Sequence, residues 1–170
     1  MQTIDRKILI VAAVALIDVD GRILISKRPD NKYLGGLWEF PGGKLENNEK
    51  AEDALIRELE EELNIYTWKS CLAPLTFSTF DYKDFYLTLL LFVCRKWEGI
   101  ITPQEGQEIK WVYPNELNKF PMPEADRPLI PFLRDLLYIL YIFKEIFLNF
   151  IFLMDLIIRS YFARKCIKNK

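Results

Sequence analysis

The sequence predicts an α+β domain followed by a helical C-terminal tail. Short apolar runs rich in β-branched and aromatic residues are typical of strands, and one amphipathic segment between them predicts a helix ending near Leu63. From Leu129 onward the pattern becomes helical and strongly apolar. A chain of 170 residues can bury a core without disulfides, so we expect a domain over residues 1–136 and an extension over residues 137–170.

The first elements are predicted to be two strands. An apolar run at 8–17 is followed by the turn Asp-Val-Asp-Gly at 18–21 and a second apolar run at 23–26, which is a hairpin pattern. The first run could be mistaken for a signal-peptide core, but no small-residue cleavage site follows it. Residues 28–44 are rich in Gly and Pro and predict a long ordered loop of the kind that carries function.

The helix that follows has recognisable ends. Asn47 or Asn48 is the predicted N-cap, and Asn64 can adopt the left-handed conformation that ends a helix after Leu63. The rest of the domain is predicted to contain three more strands and a final segment of loop or short helix; these lie at 74–80, 85–94, 109–113 and 114–128.

The last turns of this helix carry an unfavourable concentration of acids, namely Glu58, Glu60, Glu61 and Glu62. The C-terminal end of a helix is partially negative, so each carboxylate there costs about a few tenths of a kcal/mol. Most acidic runs are solvated surfaces. On a helical wheel, however, Glu58, Glu61 and Glu62 border the apolar arc, whereas Glu60 faces solvent. A bound hard cation would remove these penalties, so the pattern predicts a metal site.

Composition restricts the chemistry of such a site. The chain has no histidine, so its ligands must be carboxylates, carbonyls and water, which favours Mg²⁺ or Mn²⁺ over Zn²⁺. Its three cysteines lack metal-ligand spacing and indicate free thiols in a reducing compartment, the cytoplasm. The net charge of −1 divides into −5 over residues 1–136 and +4 over residues 137–170, and provides no basic field for a nucleic-acid polymer.

Gly43, Glu49 and the run RELEEELNI at 57–65 resemble the Nudix box, G-x5-E-x7-R-E-U-x-E-E-x-G-U, where U is apolar. Every fixed position is kept except the late glycine, where Asn64 stands. The flanking segments at 27–44, 104–112 and 120–130 are similar to the MutT branch of that family, which removes oxidised guanine nucleotides. The resemblance covers residues 8–136 and implies the Nudix fold, a mixed β-sheet between α-helices.

The resemblance also implies a metal site and a carboxylate base. The metal would be Mg²⁺, with Mn²⁺ as the alternative, and its ligands would be the carbonyl of Gly42 and the carboxylates of Glu58, Glu61, Glu62 and Glu105. Glu58 is the expected general base, with Glu61 as the alternative. Arg57 is expected to orient a glutamate of the box, and a solvated loop acid is the alternative interpretation of Glu105.

The implied substrate contacts lie in the flanking segments. Arg28 and Lys44 resemble the cations that contact phosphates, and Phe40 resembles a residue of the base pocket, although core packing explains it equally well. Asp126 stands where the family reads the purine edge, commonly with Asn. An ionised Asp only accepts hydrogen bonds, whereas a protonated one also donates. Asp126 could instead cap the helix that begins nearby.

The implied reaction is metal-dependent attack of water on the β-phosphorus of an oxidised purine dNTP such as 8-oxo-dGTP, giving a monophosphate and pyrophosphate. Such an enzyme prevents replication errors by cleaning the nucleotide pool. Alternatives are hydrolysis of another nucleoside diphosphate-linked substrate and, from a different class, a non-catalytic module that reads oxoguanine. The complete set of box glutamates argues against the module. We expect a monomer whose partner is a small-molecule triphosphate.

The tail is apolar but interrupted by charges, including Lys144, Glu145 and Asp155. A charge at the centre of a spanning helix costs about 2.5–3.5 kcal/mol, so we do not expect a transmembrane segment. Three interpretations remain: a membrane-surface helix with a basic end, a helix that binds a partner, or an extension without selected function. We favour the third.

Overall fold

The computed structural model describes residues 6–168, except for the side chains at 144, 145, 148, 149, 152 and 155–168. The chain forms two compact units, the first ending at Arg134 and the second beginning at Asp135. The first unit contains seven described strands and one long helix: β1 (Lys7–Leu16), β2 (Ile23–Lys27), β3 (Trp38–Glu39), β4 (Gly42–Lys44), α1 (Ala51–Leu63), β5 (Ala73–Asp81), β6 (Phe85–Cys94) and β7 (Glu108–Val112).

The strands form two sheets. The larger sheet has the order β4-β1-β6-β5, with β1 parallel to β6 and the other pairs antiparallel. This is the mixed sheet that the sequence predicts. The smaller sheet is antiparallel, with the order β3-β2-β7. The two short strands β3 and β4 lie within the segment at 28–44 that the sequence predicts to be loop throughout.

The predicted hairpin at the start of the chain is wrong beyond its first bridge. Both strands exist, but β1 and β2 belong to different sheets, and the pairing between them is confined to the turn, where Ile17 bridges Ile23 and the Asp18 N–H donates to the Arg22 carbonyl. β1 pairs with β6 along its whole length on one side and with β4 on the other. Both of its edges are therefore occupied, and β2 pairs instead with β3 and β7.

Helix α1 begins two or three residues later than the predicted caps. Its N-cap is Lys50, which makes no side-chain capping bond, and Asn48 adopts a positive φ of 63° in the preceding turn. The predicted C-terminal end is correct. Asn64 has φ 55° and ψ 40°, and its N–H donates to the Glu60 carbonyl. The Asn in place of the usual glycine therefore keeps the left-handed end of the helix.

The core fixes the rotation of α1. Leu55, Leu59 and Leu63 are fully buried and pack in one cluster with Ala12 and Val14 of β1. Burying each leucine stabilises the domain by roughly 1.5–3 kcal/mol. The predicted apolar arc is confirmed, and the acids that border it are held beside the larger sheet.

A second helix, α2 (Ile130–Lys168), leads into the second unit after two 3₁₀ turns at Pro114–Lys119 and Arg127–Leu129. Large apolar side chains of the second unit are exposed, among them Tyr138, Tyr141, Phe143 and Phe147. Within the described residues, no helix combines the length and apolar character that a membrane span requires. The basic end proposed for the tail lies among side chains outside the description, as does Cys166, whereas Cys71 and Cys94 are free thiols.

Candidate active site

A cavity of about 550 Å³ lies against one face of the larger sheet. Alternate residues of β1 and β6 form an apolar wall, because successive side chains of a strand point to opposite faces; these are Leu9, Val11, Leu87 and Leu89. At one end of the wall Lys7 pairs with Phe85, and roughly 20 Å along β1, Ala13 pairs with Gly42. The cavity thus has an aromatic end and an end next to Gly42 and Gly43, which we call the glycine turn.

The aromatic end is built from three different segments. Tyr33 comes from the loop after β2, Tyr82 follows β5, and Phe85 begins β6. Their rings are in contact, with centroids 6.2 Å apart for Tyr33 and Phe85 and 5.0 Å apart for Tyr82 and Phe85. Flat apolar rings at the wall of a cavity suit a planar base.

Glu62 lies at the other end, where its carboxylate is mostly buried. The Gly42 N–H donates to its Oε2 at 3.4 Å. Burial raises the pKa of Glu62 to about 8, and the nearby charges of Glu39 and Glu58 act in the same direction. A divalent cation would reverse this balance, because it stabilises the ionised form.

Glu58 borders the same point and depends on two glycines. A Cβ on Gly43 would lie 2.0 Å from Oε1 of Glu58, so no other residue leaves the carboxylate in its place. Gly42 has φ 146°, and a Cβ there would lie 2.2 Å from the Ala12 carbonyl oxygen. The glycine turn is therefore required both by its backbone and by the acid packed against it.

Arg57 contacts several groups of the box at once. Its Nε and Nη2 donate to Glu49 at 3.0 Å each, its Nη1 donates to Glu58 at 2.8 Å, and its Nη2 also reaches the Lys44 carbonyl. The bond to Glu49 is the main cause that raises the pKa of the guanidinium. The helical wheel places Arg57 toward solvent, but its side chain folds back and is only 26% exposed. This is the geometry that an orienting residue needs.

The structure does not bring all predicted metal ligands together. Glu61 is 61% exposed, lies outside the cavity lining and reaches only Nη1 of Arg57 at 3.5 Å. Glu105 lines the cavity but is paired with Lys32. Among the described residues, no three acidic side chains are close enough to hold a metal ion as they stand.

The groups that do meet suit a hard cation. Glu58, Glu62 and Gly42 offer two carboxylates and a backbone carbonyl at one corner of the cavity, which is the oxygen donor set of Mg²⁺ or Mn²⁺. Glu62 is also a buried acid without a cationic partner in the described structure. Glu61 would have to leave Arg57, and Glu105 would have to leave Lys32, to join this set of oxygen donors.

The predicted substrate residues line the cavity together. Lys44 is exposed beside the glycine turn, and Arg28 donates through Nη1 to both oxygens of Glu39 at 2.7 Å. Phe40 is 3% exposed, so it packs in the core, and it also lines the cavity.

Asp126 is buried in the cavity wall and occupies the N-cap position of the 3₁₀ turn at Arg127–Leu129 without capping it through its side chain. Its side chain makes no capping bond, and its Oδ1 instead accepts the Phe40 N–H at 3.5 Å. Burial raises the pKa of Asp126 to about 8, and the nearby charge of Glu39 acts in the same direction. The carboxyl group is therefore predominantly neutral at pH 7 and can both donate and accept a hydrogen bond.

Sequence reasoning missed Glu39, Lys32 and the aromatic cluster. Glu39 lies in a two-residue strand that is too short for a periodic pattern, and Lys32 lies in a turn-rich loop. The aromatic side chains come from distant segments, so no local spacing connects them. Only their shared position around the cavity identifies these residues.

A methyl group at Gly43 should displace Glu58. We expect Gly43→Ala to weaken Mn²⁺ binding by about tenfold or more, since a side chain there would overlap the carboxylate. Isothermal titration calorimetry of Mn²⁺ measures this change. Glu60→Gln, on the exposed side of α1, is the control and should bind as the wild type does. Unchanged binding in Gly43→Ala would remove Glu58 from the metal site.

Comparisons with known proteins agree with this architecture. The model of the NUDIX domain family matches residues 12–131. The chain is 40% identical to the 8-oxo-dGTP diphosphatase of Proteus vulgaris over 102 residues, which cover 60% of this chain and 89% of that protein. It is 33% identical to the CTP pyrophosphohydrolase of Escherichia coli strain K12 over 123 residues, which cover 72% and 89%.

A solved structure from the study of MutT from Aliivibrio salmonicida and Vibrio cholerae superposes with a TM-score of 0.64 at 35% identity, covering 76% of this chain and 98% of that one. The family-model match at residues 12–131 spans α1, the strands β2 to β7 and the second half of β1. The chain therefore belongs to the NUDIX domain family.

Proposed function

We propose that this protein is a Mg²⁺-dependent pyrophosphohydrolase that converts oxidised purine dNTPs such as 8-oxo-dGTP to monophosphate and pyrophosphate. The observation that carries the proposal is one cavity that joins a partly buried acid pair, Glu58 and Glu62, to an aromatic end and to the neutral acid Asp126. Removing such nucleotides from the cytoplasmic pool prevents replication errors. The 8-oxo-dGTP diphosphatase of Proteus vulgaris, at 40% identity, supports this substrate.

Glu58, Glu62 and the Gly42 carbonyl would hold the metal ion, with Glu61 and Glu105 joining after they leave their present partners. When bound, Mg²⁺ neutralises phosphate charge and acidifies a water molecule. Mn²⁺ is the alternative metal, since it accepts the same oxygen ligands. The raised pKa of Glu62 is the electrostatic reason to place a cation here.

Glu58 is the proposed general base, and Glu61 is the alternative. Glu58 is partly buried, and Arg57 fixes its carboxylate through a bond of 2.8 Å. That bond restricts the rotamers of Glu58 and lets it accept the proton of the attacking water in a defined direction. Arg28 and Lys44 line the cavity and would contact the phosphates as cations.

Asp126 is the proposed reader of the base. With Oδ1 held by the Phe40 N–H, a protonated carboxyl group presents one donor and one remaining acceptor to a purine edge. The rings of Tyr33, Tyr82 and Phe85 would pack on the face of the base. We propose a monomeric enzyme that acts on a free nucleotide and requires no nucleic-acid polymer.

The main alternative is a different substrate for the same chemistry. The CTP pyrophosphohydrolase relative, at 33% identity, favours a pyrimidine triphosphate. Its hydrolysis would need the same phosphate and metal residues but different contacts at the base end. Substrate selectivity therefore distinguishes hydrolysis of an oxidised purine dNTP from hydrolysis of a pyrimidine triphosphate. Replacing a box glutamate would not, because it should reduce both activities.

A panel of nucleoside triphosphates tests which substrate the protein prefers. With Mg²⁺ present, we expect 8-oxo-dGTP to exceed dGTP and CTP in kcat/KM by at least about tenfold, because each hydrogen bond that only the oxidised base makes adds about 1–1.5 kcal/mol. Separate assays of monophosphate, pyrophosphate and inorganic phosphate identify the bond that is cleaved. Equal kcat/KM for 8-oxo-dGTP and dGTP would contradict the proposed role, and preference for CTP would establish the alternative.

The proton of Asp126 should make base selectivity depend on pH. Since the pKa is raised to about 8, the donor is present below pH 8 and lost above it. We expect the ratio of kcat/KM for 8-oxo-dGTP to that for CTP to fall by about tenfold or more between pH 7 and pH 9. The ratio cancels titration of Glu62, because both substrates need the same metal site.

Asp126→Asn is the matched control for this pH dependence. Its amide keeps a donor and an acceptor but does not titrate, so its selectivity ratio should stay constant over the same range. A ratio that falls equally in the variant and the wild type would exclude Asp126 as the source.

We propose that residues 1–136 form the hydrolase domain and that residues 137–170 are an extension without a role in catalysis. Every proposed site residue lies at or before Asp126. A chain ending at Leu136 should therefore keep kcat/KM within about twofold, since it retains all the groups that bind or react. Circular dichroism verifies that the shortened protein is folded, and a folded but inactive one would contradict the proposal.

The alternative interpretations of the extension give different results. A membrane-surface helix would make the full chain, but not the shortened one, co-sediment with vesicles containing anionic lipid. If the extension binds a second copy of the chain, the full chain should be dimeric and the shortened one monomeric. Size-exclusion chromatography with light scattering measures this oligomeric state.

A further inference from the structure

We propose that Glu39 is a positioning residue that holds the guanidinium of Arg28 so that its remaining nitrogen faces the triphosphate. The inference rests on the proposed function and adds a residue to it. Glu39 lies in β3, directly before Phe40, and both Glu39 and Arg28 line the cavity. Glu39 belongs to no part of the Nudix box, which begins at Gly43.

The hydrogen bonds of Arg28 define its orientation. Nη1 donates to both carboxylate oxygens of Glu39 at 2.7 Å, and Nε donates to the Tyr33 carbonyl at 2.8 Å. Within the described part of the chain, these bonds use two of the three guanidinium nitrogens, and Nη2 is left. A planar guanidinium held at two nitrogens cannot rotate freely, so the direction of the third is fixed.

The burial of this pair supports a role in the cavity. The Arg28 side chain is 29% exposed and that of Glu39 is 24% exposed, so neither is a freely solvated surface group. Burial raises the pKa of Glu39, and the charge of Arg28 opposes that effect. Arg28 therefore helps to keep Glu39 ionised, and Glu39 holds Arg28 in place.

The placement of Glu39 is otherwise unfavourable. Its charge raises the pKa of both Glu62 and Asp126, so it opposes the ionisation of both acids. A neutral residue at this position would remove both repulsions. What Glu39 supplies in return is an oriented cation, Arg28, in the lining of the cavity, where it could contact the phosphates of a nucleotide.

This geometry explains why lysine would not replace arginine here. An ammonium group paired with Glu39 has no rigid second arm, whereas a guanidinium can bind a carboxylate through one nitrogen and a phosphate oxygen through another. Arg28→Lys should therefore lose much of the affinity for the triphosphate although it keeps the positive charge.

A double-mutant cycle in the full chain tests the proposal. Glu39→Gln removes the charge at nearly constant volume, and we expect KM for 8-oxo-dGTP to rise about tenfold to hundredfold with a smaller change in kcat. Arg28→Ala should give a similar or larger rise. The double variant should be no worse than Arg28→Ala alone, because Glu39 contributes to substrate binding through Arg28, whereas its charge opposes the ionisation of Glu62 and Asp126.

Matched variants separate positioning from general destabilisation. Glu39→Asp keeps the charge and should recover part of the affinity, whereas Glu116→Gln breaks an exposed ion pair with Lys119 and should leave KM unchanged. Thermal unfolding shows whether each variant is folded. If Glu39→Gln does not fold, the comparison of Glu39→Asp with the wild type, in the presence and absence of Arg28→Ala, provides the same test.

Binding of inorganic tripolyphosphate with Mg²⁺, measured by calorimetry, separates this inference from the proposed function. Weaker binding in Glu39→Gln supports positioning even if 8-oxo-dGTP proves to be the wrong substrate. An unchanged KM for Glu39→Gln, or effects of Glu39→Gln and Arg28→Ala that simply add, would overturn the inference although hydrolysis itself is established.

Discussion

The site depends on the packing of α1 against β1. Burial of Leu55, Leu59 and Leu63 fixes the rotation of the helix, and rotation decides where the neighbouring carboxylates point. Glu58 and Glu62 lie one turn apart along the border of this apolar face, so they are directed at the glycine turn of β4. The hydrophobic core thus holds in place two acids that would otherwise repel each other into solvent.

The described lining of the cavity contains more acidic than basic side chains. Of the cations in its lining, Arg28 is paired with Glu39 and Lys32 with Glu105. The acids of the lining are Glu39, Glu58, Glu62, Asp84, Glu105 and Asp126, and its cations are Lys7, Arg28, Lys32 and Lys44. Such an arrangement stabilises a divalent cation and protonated acids, and it disfavours a bare triphosphate. The substrate that fits this electrostatic field is a nucleotide already accompanied by metal ions.

The sequence predicts local structure better than long-range structure in this protein. The apolar arc of α1, the left-handed Asn64 and the longer strands β1, β2, β5, β6 and β7 are encoded in short patterns, so they are correctly predicted, whereas β3 and β4 lie in a segment predicted to be loop. The hairpin of β1 and β2 is wrong because strand pairing is decided by distant segments, here β4, β6 and β7. Arg57 also departs from the ideal wheel, because its long side chain folds back to reach Glu49.

The candidate site shows the same division. The family resemblance implies that Glu58, Glu62 and Gly42 belong to one site, and the structure brings these residues together at one corner of the cavity. The present partners of Glu61 and Glu105 are Arg57 and Lys32, which no spacing could indicate. Glu39 lies in the flanking segment at 27–44, but no motif singles it out, because its hydrogen bonds to Arg28 and its effects on the pKa of Glu62 and Asp126 arise only in the folded chain.

The central claim is that Glu62 is the buried anchor of the metal site. Turnover and Mn²⁺ binding of Glu62→Gln, compared with Glu60→Gln, test it most directly. Glu62→Gln should lose turnover and bind Mn²⁺ at least about tenfold more weakly, while its unfolding temperature is unchanged or higher, since a neutral amide avoids the cost of burying a carboxylate. A folded Glu62→Gln protein with nearly normal rate and metal affinity would contradict the account.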